Sequence, residues 1–368
     1  MRRQHFETLR PVCPVCRAPG AEGFLLRIAA VAREAEGHIL EGVLHCTNPL
    51  CLREFPVIDG IPLLVANIRS YVADNILAIH GRQDLGDLIE SMLGDCCGPG
   101  SAFDQTRQHL SSYAWDHYAD LDPAETTTEP KPGSMLRTLE MGRQLAGTLP
   151  PGPVVEVGCS VGRGSFALAA QTDGLVLGVD LHFPMLRLAS KILRQGQVLY
   201  PRRRVGLVYD TREFPAAFPR RNNVDFWACD ATALPFANGT FSLAMGLNVL
   251  DCLSAPGEFL TSLGSVLKPG GKAVLACPYD WSVAATPLEG WLGGHSQRSP
   301  LGGSSEETLR RLLQPGTMPG SVNGLQLIAE RDRLPWHVRL HERSTMTYQL
   351  HMILAEKRGE TEAVNPAP

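Results

Sequence analysis

Val154-Val-Glu-Val-Gly-Cys-Ser-Val-Gly-Arg-Gly164 is a short β-branched run that ends in an acid and then breaks into glycine. A strand buried on both faces of a parallel sheet reads as continuous Val, Ile and Leu, and ligands of such sheets bind where the strands end. Gly158, Gly162 and Gly164 let the backbone turn sharply and pass close to a ligand with no Cβ in the way. The competing reading takes Gly162-Arg-Gly164-Ser-Phe-Ala167 as a dinucleotide fingerprint, which needs its first glycine directly after the strand. The strand stops near Val157, so Gly162 comes too late.

Downstream, Val176 to Val179 reads as a second strand ending in Asp180 and Leu181, where an acid suits hydrogen bonding to both hydroxyls of a ribose. Val224-Asp-Phe-Trp-Ala-Cys-Asp230-Ala231 reads as a third strand ending in an acid, Phe241 to Asn248 as a fourth, and Leu267-Lys-Pro-Gly-Gly as the turn into a fifth. Any one of these could be a structural turn, since Gly and Pro punctuate loops everywhere. Their order and spacing together are specific. They resemble the motifs of class I S-adenosylmethionine (SAM) methyltransferases, with Ser160 standing where that family usually has its middle glycine. The resemblance implies a seven-stranded, doubly wound, Rossmann-like α/β sheet. It further implies a cofactor site of Glu156, Gly158, Ser160, Gly162, Asp180, Leu181, Asp230, Ala231 and Asn248, with the Asp230 side chain and the next backbone N–H facing adenine.

Four of the ten cysteines make a pattern, Cys13-Pro-Val-Cys16 and Cys46-Thr-Asn-Pro-Leu-Cys51. Two Cys pairs on tight turns can set four thiolates tetrahedrally around Zn²⁺. The segment 53–65, Arg-Glu-Phe-Pro-Val-Ile-Asp-Gly-Ile-Pro-Leu-Leu-Val, resembles the ending of the small zinc-ribbon proteins that activate tRNA, rRNA and release-factor methyltransferases. That resemblance implies a β-rich zinc ribbon over residues 1–68. Its apolar ending predicts packing in cis, because exposed patches of that kind mark interfaces. Cys96, Cys97, Cys159, Cys229, Cys252 and Cys277 lie mostly in apolar stretches and read as packing residues.

Residues 69–128 read as a helical connector and possible substrate lid, with short amphipathic helices at Asn75-Ile-Leu-Ala-Ile and Asp87-Leu-Ile-Glu-Ser-Met-Leu. Tyr113, Trp115, His117 and Tyr118 follow, as lid residues or as the packing face of a helix. Pro123, Pro130 and Pro132 mark a linker, Met135 to Leu149 a helix, residues 129–357 the methyltransferase domain, and 358–368 a disordered tail.

A second resemblance concerns Cys277-Pro-Tyr279-Asp280-Trp281, followed by Thr286-Pro-Leu-Glu-Gly-Trp291-Leu-Gly293-Gly294. With Asn248-Val-Leu-Asp251, Val338 to Arg343 and the stretch Tyr348 to Glu356, this block is similar to the methyltransferase domain of ovothiol synthases, which N-methylate mercaptohistidine. The N-terminal ribbon and the absence of a sulfoxide synthase domain depart from that family. The resemblance implies methyl transfer to a nitrogen of a histidine-derived small molecule, with Asn248, Asp251 and Tyr279 near the acceptor, and Trp281 and Trp291 either enclosing a flat ring or pinning a loop.

An RNA acceptor is the second reading, because some rRNA methyltransferases join a Cys-rich zinc module to the same core. Phosphate backbones demand basic surface, whereas the net charge is -4 and residues 1–68 carry seven basic and seven acidic residues. Arg202-Arg203-Arg204 and Arg220-Arg221 are local exceptions, read as a solvated loop between strands two and three. A non-catalytic scaffold is disfavoured by the presence of Glu156, Asp180 and Asp230 together. No stretch approaches the roughly 18 apolar residues of a membrane span, and no apolar core follows the basic N-terminal residues, so a cytoplasmic protein is expected.

Overall fold

The computed structural model describes all residues except 18–22, 128, 300, 318–319, 323 and 360–368, so most of the expected disordered tail lies outside the described residues. Four strands lie near the N-terminus: β1 (Leu26–Ala35), β2 (His38–Cys46), β3 (Glu54–Ile58) and β4 (Ile61–Leu64). The central strands are β5 (Val154–Val157), β6 (Val176–Asp180), β9 (Val224–Cys229), β10 (Phe241–Leu247) and β11 (Leu267–Cys277). Between β6 and β9 stands a hairpin, β7 (Gln197–Val205) and β8 (Val208–Pro215), and the chain closes with β12 (Leu325–His341) and β13 (Ser344–Lys357).

The large sheet has the order β1-β2-β3-β4-β9-β6-β5-β10-β11-β13-β12. Strands β9, β6, β5, β10 and β11 are mutually parallel, and β13 returns antiparallel to β11. The seven strands from β9 to β12 are the doubly wound sheet expected from sequence, but the continuous sheet has eleven strands. The excess arises because β4 adds in parallel to β9, pairing Leu63 with Ala228 and Leu64 with Cys229. An open edge strand is a row of unpaired backbone groups, and β4 covers the one β9 would otherwise present. The apolar ending of the N-terminal segment thus packs in cis, with Phe55, Ile61, Leu63 and Leu64 fully buried.

Alternate residues of each central strand enter different cores. Val155, Val157, Leu177 and Val179 join one, while Val154, Val176, Phe226 and Ala228 join the other. This is the period of two expected of a strand with helices on both faces.

Helices α1 (Arg3–Leu9), α2 (Ile68–His80), α3 (Asp87–Cys97), α4 (Ala102–Tyr118) and α5 (Ser134–Ala146) precede β5. α6 (Arg163–Gln171), α7 (Phe183–Gln195), α8 (Pro256–Val266) and α9 (Ser305–Leu312) follow within the sheet's crossovers and loops. α4 begins where the Ser101 side chain accepts from Asp104 N, and α7 ends on Gly196 in the left-handed conformation. Helices α2 and α3 form as expected, but α2 buries none of its residues and Leu77 and Leu88 face solvent. Among the described residues no helix is long and apolar enough to cross a membrane.

The basic run of residues 202–204 is not a solvated loop. It lies in β7, where Arg202 and Arg204 pair with Asp210 across the hairpin and Arg203 N donates to Ser111 Oγ on α4 at 2.7 Å. Hairpin pairing places Arg202 directly opposite Asp210, which a scan of local charge does not see.

Candidate functional site

The first motif folds into a cradle between β5 and α6. Gly158 and Gly162 take φ of 72° and 89°, and Ser160 takes 52°, so the serine adopts the left-handed turn the missing glycine would supply. A Cβ at Gly158 would lie 2.2 Å from Val249 Cγ2, and one at Gly162 2.6 Å from Phe226 Cζ. Asp180, at the end of β6, accepts from Ser160 N and His182 N, both at 2.8 Å. These bonds hold both of its carboxylate oxygens beside the cradle, in the lining of the cavity described next.

Above the cradle is a cavity of about 540 Å³, within the range of small-molecule sites. Of the sequence-predicted cofactor residues, Glu156, Gly158, Ser160, Asp180, Leu181, Ala231 and Asn248 line it. Gly162 lies beneath, at the start of α6, and the Asp230 side chain turns instead to Thr232 N and Oγ1, at 2.9 and 2.7 Å. Glu156 is fully buried and accepts from Ser165 Oγ at 2.6 Å, and burial pushes its carboxyl up to about 8. Gly164 lets α6 close over it, since a Cβ there would come within 1.9 Å of Glu156 Oε1.

The opposite wall belongs to α4, which contributes His109, Tyr113 and His117, and to Trp336 from β12. Tyr118 fixes α4 to the motif by donating to Val161 O at 2.6 Å. Asn248, just past β10, has φ of 55°, and its Oδ1 is buried with no hydrogen-bond partner among the described residues. The same holds for His117 Nδ1. Burial, helped by the nearby Arg163 charge, pushes the His117 imidazole down to about 3.

Asp251 and Tyr279, named from sequence as acceptor-facing, do not line this cavity. Asp251 is buried, accepts from Asp280 N at 2.7 Å and so holds the turn after β11. The Tyr279 hydroxyl meets His351 Nδ1 at 2.7 Å, and His351 Nε2 meets Glu330 Oε2 at 3.1 Å. Trp281 and Trp291 stack at 6.1 Å and donate to Ser305 Oγ and Thr286 O, which favours a pinned loop over a ligand cage. His295 Nδ1 meets Gly293 O within that loop.

Sequence reading missed His109, His182, Met185, Cys252 and Trp336 in the lining. The four-residue spacing of His109, Tyr113 and His117 was a signal available in the sequence. Nothing local could have brought in Trp336.

The four N-terminal cysteines meet at a second site. The Sγ atoms of Cys13, Cys16, Cys46 and Cys51 all lie within 4.8 Å of one another, with Cys13 and Cys51 at 4.0 Å and Cys16 and Cys46 at 3.7 Å. A tetrahedral site with Zn–S bonds of about 2.3 Å has S···S edges of about 3.8 Å, so the donor set fits zinc. Asn48 N and Nδ2 point at Cys46 and Cys16 Sγ, at 3.3 and 3.4 Å, as outer-shell donors to thiolates would.

A family model described as a methyltransferase domain matches residues 155–275. These residues form a SAM-dependent methyltransferase domain. The chain is also 44% identical, over 57 residues, to demethylmenaquinone methyltransferase of Renibacterium salmoninarum, covering 16% of this chain and 24% of that protein. It thus spans about a quarter of the length of that curated relative. Among solved structures it is similar to Haemonchus contortus phosphoethanolamine N-methyltransferase 2 in complex with SAM, at 19% identity and a TM-score of 0.30, covering 38% of this chain and 28% of that one. A SAM-dependent methyltransferase from Methanosarcina mazei is similar at 19% identity and a TM-score of 0.36, covering 56% and 93%.

Proposed function

We propose that the protein is a SAM-dependent methyltransferase acting on a nitrogen of a small, histidine-derived molecule. The observation that carries the methyltransferase part of this reading is one cavity lined by residues of the first four motifs, Asp180, Ala231 and Asn248 among them. Bound SAM supplies an electrophilic methyl group on a sulfonium. The chain's own task is to hold an acceptor lone pair in line with that carbon, and such positioning can be worth about 7 to 11 kcal/mol. Asp180 would hold the ribose, and the backbone of Gly158 to Ser160 the polar tail. Asn248 would hold the acceptor, while Asp251 and Tyr279 act as positioning residues that fix the loop after β11 beneath it.

Among the described residues no Lys or Arg lines the cavity, which supports a small molecule over RNA as acceptor. The cysteine cluster is read as a structural Zn²⁺ site that folds the N-terminal segment, and its docking on β9 fits a stabilising role in cis. Calorimetry with SAM tests the cofactor reading: Asp180→Ala should weaken binding at least tenfold, as loss of a charge-assisted contact of about 1.5 to 3 kcal/mol requires. Unchanged affinity in a folded variant refutes it. Labelled methyl transfer to mercaptohistidine, related thiols, tRNA and rRNA tests the acceptor.

A further inference from the structure

His109, Tyr113 and His117 recur every four residues along α4, which stacks them on one helix face, and all three line the cavity. The stripe runs inward. Tyr113 is 38% exposed, whereas His117 is 3% exposed at the closed end. Three residues lining this cavity carry a buried polar atom with no hydrogen-bond partner among the described residues, His117 Nδ1, Asn248 Oδ1 and His182 Nδ1. A buried polar atom left unpaired costs about 1 to 3 kcal/mol, so such atoms on residues lining one cavity call for a ligand that pairs with them. The cofactor residues occupy the other wall, from Glu156 to Ser160 and from Asp180 to Leu181.

Resting on the methyltransferase reading above, we propose that His117 and Asn248 together select the acceptor, and that they take an uncharged, planar nitrogen heterocycle at the closed end of the cavity. Tyr113 flanks the ring. His117 stays a neutral imidazole at physiological pH, offering one donor and one acceptor but no charge. Among the described residues no Lys or Arg lines the cavity, and Arg163, whose charge reaches His117, is already paired with Asp120 at 3.0 Å, so a carboxylate or phosphate at this end would be buried without a free counter-charge. A charged tail on the acceptor must therefore point outward, toward His109. In the reaction, a ring nitrogen lone pair forms the new N–C bond as the C–S bond breaks and leaves its electron pair on sulfur. The cationic ring keeps its N–H proton until the product leaves the cavity and gives it to water there. His117 orients that N–H and takes no proton itself.

The test uses protein saturated with S-adenosylhomocysteine and ligand-detected NMR titration of imidazole, histamine and imidazole-4-carboxylate. Imidazole and histamine should bind, and the carboxylate at least tenfold more weakly. His117→Phe should weaken imidazole at least tenfold while S-adenosylhomocysteine affinity stays within twofold. His117→Asn, which keeps a donor and an acceptor, should restore most of the loss and shows that a folded pocket is being read. Equal imidazole binding by wild type and His117→Phe, or no imidazole binding by wild type, overturns the proposal. Failure of wild type to bind S-adenosylhomocysteine would instead refute the methyltransferase reading beneath it.

Discussion

Glu156 offers a test of the site that needs no acceptor. Burial, with a smaller push from the Asp180 charge, raises its carboxyl from 4.5 to about 8, against the opposing hydrogen bond from Ser165. Because the folded state favours the protonated form, this group's contribution to stability is complete below about pH 4.5 and is lost as pH rises through about 8. At 1.36 kcal/mol per unit, the full loss is about 5 kcal/mol, a large fraction of the stability of an ordinary domain. Glu156→Gln keeps the shape and cannot ionise. In urea unfolding from about pH 5 to about pH 8, the wild type should therefore lose stability relative to Glu156→Gln, with the two nearly equal at the acid end. His117 and His38 are pushed down by burial in both proteins and lose stability as pH falls below 6.5, so the difference between variants isolates the carboxyl. Parallel pH profiles would show that Glu156 is solvated and that the closed cradle under α6 is wrong.

Gly158→Ala should abolish SAM binding measured by calorimetry, since its Cβ would meet Val249 at 2.2 Å in a left-handed turn; retained affinity would mean the cradle is not the cofactor site. Purified protein should carry about one zinc per chain by elemental analysis, and soluble Cys13→Ser/Cys16→Ser should carry none, whereas stoichiometric metal in that variant would rule these thiolates out. Removal of residues 1–68 uncovers the β9 edge and the fully buried Trp227, so residues 69–368 alone should aggregate and melt lower. A soluble, equally stable and fully active truncation would make the N-terminal segment an independent recognition module and raise the weight of an RNA acceptor.

The sequence by itself determined the elements whose chemistry is local. The Val-Val-Glu-Val run, the glycine turn at 158–164 and the acid that ends β6 define strand, cradle and a carboxylate beside the cradle within short stretches, because turn geometry and strand burial depend on neighbouring residues. The five parallel strands were legible for the same reason, each as an apolar run, while the count of seven came from the resemblance to methyltransferases. Only the tertiary structure decided which polar residues line the cavity. Asp251 and Tyr279 carry the right chemistry after the right strands, yet backbone and side-chain partners turn them inward, while His109 and Trp336 reach the cavity from elements far apart in the chain. The pairing of β4 with β9 and the salt bridges of Arg202 and Arg204 belong to the same class. Each joins residues whose proximity is set by how helices and strands pack, and no local pattern records it.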